Sequence, residues 1–229
     1  MTITPTVLTR AAGIAAAVGG LLFIGVQIGH PFLDADFATT TEYTVRETVK
    51  ILLAVLSLIG ITGMYLSQVK RNGVVGLLGY TVFGAGWLIL TSVQIIGVFV
   101  LPFLAVGSPD HVNDILIAAV GGTPTGDIGP IQLLFRLSGV TLLAGGFIFG
   151  IALFRAGVLA RWAAALLMIG SAALGATALL PQVNPRLFAI PLSVAMSGLG
   201  YSQWRNQRTA AVRPTTSTVN SPLDPAGAR

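Results

Sequence analysis

Residues 131–180 read IQLLFRLSGVTLLAGGFIFGIALFRAGVLARWAAALLMIGSAALGATALL. Two apolar runs flank a short basic turn from Arg155 to Arg161, and a single charge, Arg136, lies inside the first run. A helix needs about 20 apolar residues to cross the hydrocarbon core of a bilayer. The stretch is therefore a transmembrane helical hairpin whose turn lies on the side where positive charge is retained. Long apolar runs without period-2 alternation favour helices over a β-barrel. The rest of the chain is built alike. Hydrophobic residues make up 54% of it, charged residues 9%, and mean hydropathy is +0.83. A soluble domain carries about 25% charged residues, so most of this chain does not face water.

The expected fold class is all-α: a polytopic membrane protein with a six-transmembrane-helix bundle over residues 1–204. The spans fall at about 11–29, 49–66, 74–101, 131–154, 158–180 and 185–201. The first apolar run exceeds a signal-peptide core and no A-x-A site follows closely, which favours a retained span over a cleaved leader. Thr44 and Glu47 have capping-box spacing at the mouth of span two. Gly25 and Gly29, Gly146 and Gly150, and Ser171 and Gly175 are small-xxx-small pairs that admit a neighbouring helix. Pro191 predicts a kink in span six. Between spans three and four, Ser108-Pro109-Asp110 reads as a helix start. Val112, Ile115, Leu116 and Ala119 follow at helical spacing, so a short amphipathic helix either lies on the membrane surface or caps the bundle. The Thr-, Ser-, Pro- and Arg-rich tail, 205–229, reads as disordered.

Charge orients the bundle. Arg10, Lys70, Arg71, Arg155, Arg161, Arg205, Arg208, Arg213 and Arg229 fall on one side; Arg46, Lys50, Arg136 and Arg186 fall on the other with every acid but Asp224. The positive-inside rule then makes both termini cytoplasmic. The same placement accounts for the net charge of +5 without nucleic acid. Spans two and three echo spans four and five in their glycines and basic turns; this is either a parallel repeat of helical hairpins, with Lys50 and Arg136 at near-equivalent outer mouths, or a chance echo of low-complexity apolar sequence. With no Cys and two His, thiol chemistry is excluded and a metal or haem site is poorly supplied. No cofactor is expected, and no hydrolase, zincin, Walker or dinucleotide fingerprint is present.

The hairpin pattern Leu-Phe-Arg-x-Gly-x-Leu-x-Arg-Trp, Leu153 to Trp162, and the opening Arg10-Ala11-Ala12-Gly13 resemble a family of uncharacterised six-span bacterial integral membrane proteins, a domain of unknown function. The resemblance implies a multi-pass protein of the bacterial plasma (inner) membrane. It brings no activity and no catalytic residues.

The candidate ligand-binding residues are the polar groups of the outer ends: Arg136, Glu47, Lys50, His30, Gln94 and Gln27. Arg136 either snorkels to the headgroups or turns inward to Glu47 or to an anionic ligand. Glu47 with Arg46 and Lys50 is either a solvated helix start or a gating carboxylate. Gln27, His30 and Gln94 either bond between helices or line an outer vestibule. Asp110, His111 and Asp114 make a weak metal cluster, better read as a solvated helix start. The function expected is binding or sensing of a small molecule or lipid in an outward-facing polar pocket. A small secondary transporter and a lipid-modifying membrane enzyme are the alternatives. The partners this allows are membrane lipids, such a ligand, and a second copy in a homodimer.

Overall fold

The computed structural model describes residues 4–176 and 185–212. Helices dominate it and no strand occurs among the described residues. In order they are α1 (Pro5–Gln27), α2 (Ala35–Ala38), α3 (Thr41–Leu66), α4 (Val69–Phe99), α5 (Leu101–Gly107), α6 (Pro109–Ala119), α7 (Ile131–Ala156), α8 (Arg161–Ala176) and α9 (Pro185–Val212). Four of them, α1, α3, α4 and α7, are long and apolar enough to cross a membrane. The end of span five and the turn after it lie outside the described residues.

Local chemistry sets the helix starts, and it moves several of them. α1 begins at Pro5, ahead of the expected Ala11, because Pro suits the first helical position and the Thr4 hydroxyl accepts from the Val7 N–H at 3.3 Å. α3 begins at Thr41, capped by Thr40, whose hydroxyl accepts from the Tyr43 N–H at 3.2 Å. The Thr44–Glu47 spacing is thus not a cap at all, and it leaves Glu47 two turns inside the helix. α4 is broken at Gly73, whose φ of 57° and ψ of −155° suit glycine alone. The expected turn at 68–73 is this break. α9 continues as helix to Val212, so residues 205–212 are not the structureless start of a tail. Arg205, Gln207, Arg208, Ala210 and Ala211 are good helix formers, and Pro214 follows them.

Each long helix packs on the next in sequence, and α9 returns to α1, closing a ring of six: α1, α3, α4, α7, α8, α9. Apolar packing against lipid brings no hydrophobic gain, so close approach of small residues does the work. A Cβ at Gly79 would lie 2.5 Å from the Phe149 N, and one at Gly145 would lie 2.2 Å from the Phe83 N, so α4 and α7 touch backbone to backbone. Gly13 and Gly200 bring α1 and α9 together in the same way. The centre of the ring is filled by Ile61, Phe83, Trp87, Phe149, Leu153 and Leu167. Its outer surface is apolar, with Leu21, Leu52, Leu78, Leu88, Val140 and Ile169 exposed.

A second, separate core lies at the end of the bundle opposite the basic turns. Ala38 of α2, Leu101 and Ala105 of α5, and Val112, Ile115 and Leu116 of α6 pack with Ile128 and with Tyr43 of α3. This is a folded cap. α6 caps the bundle, the second of the two placements its amphipathic pattern allows. α2 is too short to show a period, and its N-cap Asp34 accepts from the Phe37 N–H at 2.7 Å.

Candidate functional site

The cap meets the bundle at Tyr43. One turn further along α3, on the same face, is Glu47, and one turn further still is Lys50. Glu47 is only 5% exposed, and Lys50 closes on its Oε1 in an ion pair. The second oxygen faces α4, where a Cβ at Gly97 would lie 3.5 Å from Glu47 Oε2 and 3.4 Å from the Tyr43 hydroxyl. Gly97 of α4 thus lies in contact range of a carboxylate and a phenol, under the cap and beside the pair of buried Glu47 with half-buried Lys50. Gln94 precedes Gly97 by one turn, which places it at the level of Lys50, and it is half-buried.

Arg46, next to this pair, points the other way. Its Nη1 donates to the Val26 carbonyl at 3.3 Å, its Nη2 to the Gly29 carbonyl at 3.1 Å, and its Nε to Glu42 Oε1 at 2.8 Å. It thereby satisfies carbonyls left bare where α1 ends. Gly29 itself stands at φ 57°, and nothing lies within 4 Å of where its Cβ or that of Gly25 would be. The expected Gly25–Gly29 packing face therefore meets no helix. It borders an open groove of about 460 Å³ between α1 and α3, with Leu22, Val26, Val45 and Val49 as apolar walls and Glu42 and Arg46 at the rim.

The six sequence-predicted residues thus separate. Glu47 and Lys50 pair under the cap, with Gln94 at their level. Gln27 is half-buried at the end of α1 near the groove. His30 is half-buried beyond it, with Nδ1 3.0 Å from the Pro31 carbonyl oxygen. Arg136 is exposed on α7, and no ion pair joins it to Glu47 among the described residues. Lys50 and Arg136, near-equivalent under the repeat alternative, therefore sit in different surroundings. Tyr43 and Gly97 were not singled out. The i,i+4 spacing of Tyr43 and Glu47 was the available signal, but nothing local says which helix that face meets.

The cap is held by its own polar clamps. Asp114, 8% exposed, accepts from the Thr125 N–H at 2.8 Å, the Gly126 N–H at 2.8 Å and the Thr125 hydroxyl at 2.9 Å. The Thr125 and Gly126 backbone donors, with smaller help from the Thr125 hydroxyl and His111, hold its carboxyl below the ordinary value despite desolvation. Asn113 Oδ1 accepts from the Ala35 N–H at 2.7 Å and pins α2 to α6. The Asp114 oxygens are thus committed to a loop. No group of three metal-binding side chains occurs among the described residues.

Comparison with family models, with curated proteins and with solved structures found no match.

Proposed function

We propose that this chain is a six-span protein of the bacterial inner membrane with cytoplasmic termini, and that it binds a small molecule or lipid at its capped, outward end. Four helices of spanning length, closed into a ring by α8 and α9, support the span count. The one-sided basic turns support the orientation.

The observation that carries the binding reading is the ion pair of buried Glu47 with half-buried Lys50 beneath the cap. Removing two charges from water is costly, and apolar residues of similar volume pack at least as well. Ionisable groups kept inside a membrane bundle mark ligand or ion sites. Beside Gly97 the second Glu47 oxygen and the Tyr43 hydroxyl would hold the polar part of a ligand, and the α1–α3 groove on the other side of α3 offers apolar wall to an acyl or other hydrophobic part.

Transport is the second reading, and Glu47 favours it as a carboxylate able to carry a proton. A conduit would have to pass the layer of Phe83, Trp87 and Phe149 that fills the ring below Lys50. Binding requires no such passage and is the simpler reading.

Native mass spectrometry of the protein released from mild detergent tests the proposal. The wild type should retain a small-molecule or lipid mass that Glu47→Gln and Gly97→Leu lose. An adduct that both variants keep, or a bare wild-type mass, would overturn it.

A further inference from the structure

At the basic end, α9 ties the ring together with cross-helix hydrogen bonds. Gln203 Nε2 donates to the Thr9 carbonyl at 3.0 Å, which holds α1. Asn206 Nδ2 donates to the Val158 carbonyl at 2.8 Å, and the Ala160 N–H donates to the Ser202 hydroxyl at 3.0 Å, which hold the α7–α8 turn. The α3–α4 turn has no such bond. Among the described residues, no side-chain hydrogen bond joins residues 67–73 to another part of the ring.

That turn nevertheless buries two carboxamides. Gln68 is 4% exposed and Asn72 is 5% exposed, and neither the oxygen nor the nitrogen of either amide has a hydrogen-bond partner among the described residues. They lie one helical turn apart. The Asn72 side chain lies against Gly76, which in turn approaches Ala152 of α7. Buried polar groups are ordinarily paired, and unpaired ones favour any arrangement that returns them to water. The chain break at Gly73 lies immediately after them.

We propose that the α3–α4 turn, residues 67–72, lifts from the bundle about Gly73, uncovering the Gly76–Ala152 contact beside Asn72 and wetting Gln68 and Asn72. The closed arrangement leaves four hydrogen-bonding groups unmet, and the open one meets them. Among the described residues, the side-chain hydrogen bonds above latch α9 to α1 and to the α7–α8 turn, and none ties residues 67–73 to another part of the ring. The packed layer of Phe83, Trp87 and Phe149 separates this end from the outer site, so the motion opens the end opposite that site.

The chain contains no cysteine, so single thiols report cleanly. Ala152→Cys places one on α7 facing Gly76, and Ala163→Cys places one at the same end in the latched α8; both alanines are at most 3% exposed. In nanodiscs, a water-soluble maleimide should modify Ala152→Cys about tenfold or more faster than Ala163→Cys, as expected for local opening of a low-stability segment. Adding Gln68→Leu and Asn72→Leu should slow Ala152→Cys to the rate of Ala163→Cys, because leucines have no unmet bonds to recover in water. Equal rates for the two single thiols, or a rate unchanged by the leucines, would overturn the proposal. Hydrogen exchange of segment 69–80 against segment 158–166 in the unaltered protein makes the same comparison without a thiol: faster exchange in the first is expected, and equal exchange overturns it.

Discussion

Lys50 reaches back one turn of α3 to the carboxylate of Glu47, and the pair lies inside the ring beneath the cap, with Lys50 retaining 19% side-chain exposure. Breaking such a pair from one side strands a charge. Lys50→Met should destabilise the protein by about 2–3 kcal/mol, below the roughly 3–5 kcal/mol of a fully buried pair because Lys50 still touches solvent. The double variant Glu47→Leu, Lys50→Met should recover most of that loss. Thermal unfolding of the four members of the cycle in one detergent measures the coupling. Strictly additive losses would mean that the two side chains do not depend on each other.

Arg46 contributes through backbone carbonyls rather than through an acid. Its guanidinium sits on the last turn of α1 and on Gly29, where both helix-end carbonyls and the helix dipole favour a cation. Arg46→Met should cost about 1–2 kcal/mol and speed hydrogen exchange near the end of α1. Glu42→Gln should change stability by less than about 1 kcal/mol, since the Glu42 side chain is 54% exposed and its pair with Arg46 lies in water. A larger loss for Glu42→Gln than for Arg46→Met would reverse this ranking.

The cap should loosen in acid. Hydrogen bonds from Thr125 and Gly126 lower the Asp114 pKa in the folded cap. A depressed folded value means that the stabilisation is complete above the unfolded value, about 3.9 for Asp. It is then lost as pH falls from there through the folded pKa. Limited proteolysis at Gly121 and Gly122 with an acid-active protease should therefore accelerate as pH drops below about 4. In Asp114→Asn the cap should be weakened at neutral pH, and this acid-dependent step should largely disappear. An identical acid profile in wild type and variant would count against the clamp.

Hydropathy made the hairpin of α7 and α8 legible, and Ser108-Pro109 made the start of α6 legible, because both signals are local. Facing was not legible. In a bilayer the core side and the lipid side of a helix are both apolar, so periodicity does not say which way Arg136 or Glu47 points. Glu47 was doubly obscured, because its spacing from Thr44 imitates a cap that the chain instead makes at Thr40. Small residues carry the facing information that polarity lacks, but only in pairs across helices: Gly79 with Phe149 and Gly145 with Phe83 become meaningful once α4 and α7 are known to be neighbours.

That difference can be measured on α7 itself, at two glycines on different faces. A methyl group at Gly145 would sit 2.2 Å from the Phe83 N and 2.5 Å from its Cα, and the backbone of α4 has no rotamer by which to yield. At Gly139 nothing lies within 4 Å. Gly145→Ala should force α4 and α7 apart and destabilise the protein by about 1–3 kcal/mol, the cost of overpacking. Gly139→Ala should be neutral or stabilising by up to about 1 kcal/mol, because alanine restricts the unfolded chain and meets no clash. Both substitutions add one methyl group to one helix, so propensity cancels and only the neighbour differs. Melting temperatures measured side by side should fall for Gly145→Ala and hold or rise for Gly139→Ala; a Gly145→Ala protein as stable as Gly139→Ala would mean that the two helices do not approach this closely.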